Sequence, residues 1–283
     1  MKTLTKITLL LTLNFLASGY AQAKNEYKTV DIKVVISQEA FEATTYNPIG
    51  VKPKAILIIT PTIGGISSVE KSNADYFAKR GYFVILTHPF VFEMQNPTPD
   101  IAKMDDDFFK PTFANEAFLV LVEKKFGLKE DLPVVALGAS QGGIITLVLA
   151  AQMPRIKASW IFVAGGDFPS LYAYSQVPKM ILYRNNHMRH LGFEKVSEFK
   201  EFLRNNLKND PLNVCRDIKG QLVQVIATRD TYVPTANQEL IASKCPTNKV
   251  MRHKVTHQSG VLLSLNQRKD IMEYFDKIIS KYD

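Results

Sequence analysis

One stretch constrains the fold of this 283-residue chain more than any other. From Pro133 to Ala150 it reads PVVALGASQGGIITLVLA. An apolar run ending at Leu137 meets a longer one starting at Ile144, with Gly138, Ala139, Ser140, Gln141, Gly142 and Gly143 between them. The first run has the length of a buried strand and the second that of a helix. One hydroxyl among three glycines leaves two readings: a turn that needs small residues for packing, or a turn that presents a nucleophile. Gly138-Ala139-Ser140-Gln141-Gly142 fits G-x-S-x-G, a sharp strand-to-helix turn that holds its serine in a strained conformation. Side chains two positions to either side would collide, so those positions require glycine. The helix that follows points its free N–H groups at the serine, where they stabilise a developing oxyanion.

The surrounding chain alternates strands with helices. Thr29–Ile36 alternates with period two, as a half-buried strand does, and Ala40–Pro48 reads as its antiparallel neighbour. Ala55–Thr60 and Tyr82–His88 are continuous apolar runs, the pattern of strands covered on both faces. Between them Ser67 and Glu70 form a capping-box pattern, and Gly81 marks a helix end. A helix is expected over about 107–126, with Pro111 in its first turn and Gly127 as its stop. Gln141–Met153 is a helix ended by Pro154. Further strands are expected at Ser159–Gly166, Leu222–Thr228 and Lys249–Thr256, and helices at about 236–243 and over the closing DIMEYFDKII. This alternation predicts a mostly parallel α/β sheet. Residues of about 167–218 interrupt it. They carry helical stretches, notably VSEFKEFLRNNL with Phe199, Phe202 and Leu203 on one side, and the apolar or aromatic Tyr172, Tyr174, Met180, Tyr183 and Met188. We read them as a lid over the end of the sheet; a merely packed helical insertion is the other reading.

The first 23 residues read as an export signal. Lys2 and Lys6 precede the apolar ITLLLTLNFLA, and Ala21-Gln22-Ala23 has the small-x-small form of a cleavage site. The apolar core is shorter than the roughly 20 residues of a spanning helix. The expected product is a mature domain of residues 24–283, periplasmic or secreted, with no stable membrane span. Without Lys2 and Lys6 there remain 33 basic and 27 acidic residues, a formal +6. These charges are scattered, without the dense basic block of a nucleic-acid binder. Two cysteines, Cys215 and Cys245, are too few for a disulfide scaffold or a cysteine-built metal site. Each precedes an expected strand by a few residues, and those strands should be parallel neighbours, so a Cys215–Cys245 disulfide is expected in an oxidising compartment.

On these motifs the chain resembles the α/β-hydrolase superfamily over about residues 29–280, and in closer detail its dienelactone-hydrolase-like and esterase-like branches. The resemblance implies an α/β-hydrolase fold: a mostly parallel central sheet with helices on both faces, two antiparallel opening strands, and a helical lid inserted after the strand that follows the elbow helix. It also implies a triad in the order Ser, Asp or Glu, His. Asp230 in LVQVIATRDTYVP is similar to the family's acid motif, although Ala227 stands where glycine is common and Arg229 adjoins the acid. Asp167 is the rival acid. In VMRHKVTHQSG, His257 falls past the strand and is the expected base; His253 lies inside the strand. TPTIGG corresponds in placement to the family's oxyanion loop, with Pro61-Thr62 in place of His-Gly, and makes the Ile63 N–H the second oxyanion donor beside that of Gln141. His88 ends a strand at the same edge, as a substrate contact or a polar loop residue. His187 and His190 read as solvated lid residues.

The implied function is a serine hydrolase of small-molecule carboxylic esters, with no metal or organic cofactor. A serine at the elbow argues against dehalogenase chemistry and departs from the cysteine of dienelactone hydrolase itself. A peptidase, thioesterase or acyltransferase on the same triad is the alternative, and a non-catalytic binding protein on this scaffold is a third.

Overall fold

The structure is a computed structural model and describes residues 26–282. The expected export signal, residues 1–23, and its expected cleavage site lie outside the described residues.

Eight strands form one sheet: β1 (Tyr27–Ile36), β2 (Glu39–Pro48), β3 (Ala55–Thr60), β4 (Tyr82–Thr87), β5 (Val134–Ala139), β6 (Ile156–Phe162), β7 (Gln221–Ala227) and β8 (Lys249–His253). Their order is β1-β2-β4-β3-β5-β6-β7-β8. β1 pairs antiparallel with β2, and β2 with β4; every other neighbour is parallel. The helices are α1 (Ser68–Ala78), α2 (Ile101–Asp105), α3 (Lys110–Phe126), α4 (Gln141–Gln152), α5 (Phe168–Tyr174), α6 (Pro178–Leu191), α7 (Val196–Asn206), α8 (Pro211–Val214), α9 (Thr235–Lys244), α10 (His257–Asn266) and α11 (Arg268–Ile279). The fold is an α/β-hydrolase-like sheet with helices on both faces.

The central strands are apolar throughout because both of their faces are covered. In β3, Ile56 and Ile58 enter a core shared with α3, α4 and the insertion. Ala55, Leu57 and Ile59 enter the opposite core with α1 and α11. The parallel strands therefore end together along one edge, and the loops that leave that edge can hold a site.

Several boundaries differ from the sequence reading for identifiable reasons. β6 ends at Phe162 rather than Gly166, because Val163 takes a left-handed φ of 46° and turns the chain off the sheet. The helix expected from residue 107 begins at Lys110. Asp107 instead turns its carboxylate back to accept the N–H groups of Glu93 (2.8 Å) and Met94 (3.1 Å). β8 stops at His253, and α10, absent from the sequence reading, begins at His257.

Between β6 and β7 the insertion is helical, running through α5 to α8. Phe199 and Leu203 of α7 are fully buried in the core, so this helix packs down instead of standing free. Cys215 and Cys245 are joined by a disulfide, with Cα atoms 5.3 Å apart. It ties the end of the insertion to the end of α9, just before the parallel neighbours β7 and β8 begin. Among the described residues no helix is long and apolar enough to cross a membrane.

Candidate active site

Ser140 lies between the last residue of β5 and the first of α4, with φ 56° and ψ −123°. A left-handed φ on a non-glycine residue is strained, and surrounding contacts must hold it. Here the Ser140 N–H donates to the Phe162 carbonyl at 2.8 Å, anchoring the turn to β6. A Cβ on Gly138 would run into the Gly142 carbonyl and Thr146 Oγ1, and one on Gly142 into the carbonyls of Thr60 and Pro61. Thr60 Oγ1 donates to the Gly142 carbonyl at 2.6 Å and sits 2.7 Å from Thr146 Oγ1. The glycines thus let β5, α4 and the end of β3 close to backbone contact.

That closeness brings the loop after β3 against the elbow. It is a tight turn in which the Gly65 N–H donates to the Thr62 carbonyl at 2.9 Å and Gly65 has a φ of 90°. Ile63 lies inside this turn, and Gln141 opens α4, whose first N–H groups have no carbonyl within the helix to bond. Both expected oxyanion donors therefore belong to segments packed beside Ser140.

Two further residues complete the site from the loops that follow β7 and β8, at the same edge of the sheet. His257, the first residue of α10, directs Nε2 to Ser140 Oγ at 3.0 Å and Nδ1 to Asp230 Oδ2 at 2.7 Å. A carboxylate can only accept, so Nδ1 carries the proton, and Nε2 accepts from the serine hydroxyl. Asp230 follows β7 at the head of a turn. Its Oδ1 accepts the N–H groups of Tyr232 (2.8 Å) and Val233 (2.9 Å). The Tyr232 ring lies 5.3 Å from the imidazole, centroid to centroid. All three residues are buried, with 6% exposure at Ser140, 6% at Asp230 and 8% at His257.

The rival candidates are placed elsewhere. Asp167 precedes α5 without a capping hydrogen bond and pairs with Arg204 of α7 at 3.3 Å. His253 ends β8, where Gln267 Nε2 lies 3.3 Å from its ring. His88 lies 3.0 Å from Thr44 Oγ1 on β2. His190 is exposed, but His187 is fully buried, which corrects its reading as a solvated residue. Its Nε2–H donates to the Asn96 carbonyl at 2.7 Å, so Nδ1 accepts from the Tyr172 hydroxyl at 2.8 Å. Burial pushes the His187 pKa down, and burial likewise raises the Asp107 carboxyl to about 6. Among the described residues no cluster of three or more His, Cys, Asp or Glu side chains is arranged to hold a metal.

The sequence reading missed Gln238. This α9 residue is fully buried and its Nε2 donates to Asp230 Oδ2 at 3.0 Å. Its place eight residues after the acid, on a helix of mostly polar residues, gave no apolar periodicity to mark it.

Arranged so, a hydroxyl, an imidazole and a carboxylate form one hydrogen-bonded chain beside a helix N-terminus. That arrangement can deprotonate the hydroxyl as it attacks an electrophilic carbon.

A model of the dienelactone hydrolase family matches residues 41–277. The fold is similar to that of acetyl xylan esterase 1 from a Thermoanaerobacterium species, at 17% identity and TM-score 0.66, over 89% of this chain and 82% of that one. It is also similar to 2,6-dihydroxy-pseudo-oxynicotine hydrolase, at 16% identity and TM-score 0.63, over 89% and 68% of the two chains. An acylaminoacyl peptidase from Pyrococcus horikoshii aligns at 14% identity and TM-score 0.65, over 91% of this chain and 42% of that one. No curated protein matches the sequence.

Proposed function

The chain belongs to the dienelactone hydrolase family and is a hydrolase, and from this we propose that it is a serine hydrolase of small carboxylic esters, working through an acyl-enzyme on Ser140. The observation that carries this reading is the chain of hydrogen bonds from Ser140 Oγ through His257 to Asp230, at 3.0 and 2.7 Å.

In this reading Ser140 Oγ attacks the acyl carbon while His257 Nε2 takes its proton. The carbonyl oxygen becomes an oxyanion held by the N–H groups of Gln141 and Ile63. Asp230 accepts from Nδ1, which fixes the tautomer and stabilises the imidazolium. Collapse of the tetrahedral intermediate breaks the ester C–O bond, and Nε2–H protonates the departing alkoxide. Water then attacks the acyl-enzyme with His257 as base, releasing the acid and restoring the hydroxyl. No cofactor takes part in these steps.

A panel of short esters, thioesters and aminoacyl anilides tests the substrate class, since all three pass through the same acyl-enzyme. Faster turnover of esters, abolished in Ser140→Ala, supports it. Faster turnover of anilides would assign a peptidase instead.

Export is part of the proposal and rests on residues 1–23. The exported protein should have the intact mass of a chain that begins at Lys24. A product that keeps Met1–Ala23 would overturn this.

A further inference from the structure

We propose that Gln238 is a positioning residue that holds the Asp230 carboxylate in register with His257; this rests on the triad reading above. Gln238 has no alternative orientation. Its Oε1 accepts the Ala227 N–H at 3.0 Å, which leaves Nε2 facing two acceptors. One Nε2 hydrogen goes to Asp230 Oδ2 at 3.0 Å and the other to the Val233 carbonyl at 2.8 Å. The backbone carbonyl of Gln238 in turn accepts from Gln224 Nε2 at 2.7 Å. One buried amide thereby joins the end of β7, the acid, the turn after the acid and α9. A flipped amide would set oxygen against oxygen at Asp230 and at Val233, and N–H against N–H at Ala227.

The donor count shows what this bond does for the acid. An ionised carboxylate offers about four lone-pair sites. At Asp230 these meet Tyr232 N–H and Val233 N–H on Oδ1, and Gln238 Nε2–H and His257 Nδ1–H on Oδ2. Gln238 and His257 therefore share one oxygen. The backbone donors fix Oδ1; Gln238 fixes the direction of the remaining Oδ2 lone pair and so the line along which Nδ1–H is received. It also draws charge from Oδ2. Without it the carboxylate is a stronger acceptor and favours the imidazolium more. The residue touches neither substrate nor Ser140, so its removal should lower kcat and leave KM unchanged.

Gln238→Met removes the donor, and Gln238→Glu keeps the acceptor for Ala227 while replacing the donor by an ionisable group. Kinetics on a short ester across the pH range test both variants. For Q238M we expect kcat about tenfold lower at unchanged KM, and the ascending acid limb moved up by about half a pH unit. For Q238E we expect near-wild-type turnover while the new carboxyl is protonated and still donates. A reversible loss should follow at alkaline pH, where the wild type holds its plateau, because two adjacent carboxylates then repel. A merely structural glutamine would lower the melting temperature and leave both pH limbs in place. Wild-type limbs and wild-type kcat in folded Q238M overturn the proposal; if Q238M does not fold, an unaltered Q238E profile does so. A wild-type protein inert to both the ester and a fluorophosphonate would instead overturn the triad reading, and this proposal with it.

Discussion

His257 receives its carboxylate partner from Asp230, 27 residues earlier in the chain, because β7 and β8 are parallel neighbours whose upper ends meet. Thr228 N–H to the His253 carbonyl and Arg229 N–H to the Val255 carbonyl, at 2.9 and 3.1 Å, continue the pairing past the strands. The acid and the base are thus fixed by the same backbone ladder. Asp167 follows the adjacent β6 but turns to Arg204 instead.

This geometry separates the two acids. In a serine protease triad, replacing the acid by its amide lowers kcat about 10⁴-fold with the geometry intact. Asp230→Asn should therefore fold and lose most esterase turnover at saturating substrate. Asp167→Asn should lose only its exposed ion pair, which is worth about 1 kcal/mol or less. Turnover with thermal melts of both variants checks this; a dead Asp167→Asn beside an active Asp230→Asn would reverse the assignment.

The elbow glycines give a steric prediction. Gly142→Ala forces a Cβ into the backbone carbonyls of Thr60 and Pro61, which cannot swing aside as a side chain could. We expect about 3 kcal/mol of destabilisation and a further loss of kcat as the Ile63 turn is pushed away. Gly127 has a φ of 64° and no neighbour near a built Cβ. Gly127→Ala should cost only about 1 kcal/mol and spare activity. Denaturant melts and kcat of the pair test whether close approach, rather than backbone freedom, sets the cost at Gly142.

Much of this architecture was legible in the sequence. β3, and β4 to within one residue, coincide with their continuous apolar runs, because strands buried on both faces are apolar up to their terminal threonines, Thr60 and Thr87. Ser140 stood out through its local motif, and the order of Ser140, Asp230 and His257 was what the α/β-hydrolase resemblance implied, placed on successive expected strands. α10 was hidden because Gly260 reads as a breaker. In the fold it packs against Val163 and Ala227, where a Cβ would clash. His187 was hidden by its polar neighbours Asn185, Asn186 and Arg189. Its partners Tyr172 and Asn96 are distant in sequence, and no local pattern announces them. Gln238 was hidden for the same reason: its role depends on a carboxylate and a carbonyl that only the folded turn brings together.

His187 gives a pH prediction. Its pKa in the folded protein lies below the ordinary value of 6.5. The unfolded chain therefore binds the proton first, and stability is lost as pH falls through about 6.5. Asp107 acts oppositely: burial lifts its folded pKa to about 6, above the ordinary 3.8, so its contribution rises as pH falls between these values. Comparing the wild type with His187→Gln cancels Asp107. The wild type should lose more melting temperature between pH 8 and pH 5 than the variant does. Parallel melting curves across that range would show that His187 does not titrate as its burial implies.

The disulfide should support stability without touching the chemistry. It closes a 30-residue separation and lies at the edge of the sheet opposite Ser140. Cys215→Ala with Cys245→Ala should lower unfolding free energy by about 3 kcal/mol and keep kcat. A comparable loss of kcat in the folded variant would mean that the insertion's anchoring reaches the site.

The most direct test of the account is covalent labelling of Ser140. Folded wild-type protein is treated with a fluorophosphonate probe, digested and mapped by mass spectrometry, beside Ser140→Ala and His257→Ala. One adduct is expected, on the peptide containing Ser140, absent in Ser140→Ala and strongly slowed in His257→Ala. No adduct on folded wild type, or equal labelling of Ser140→Ala, would contradict it.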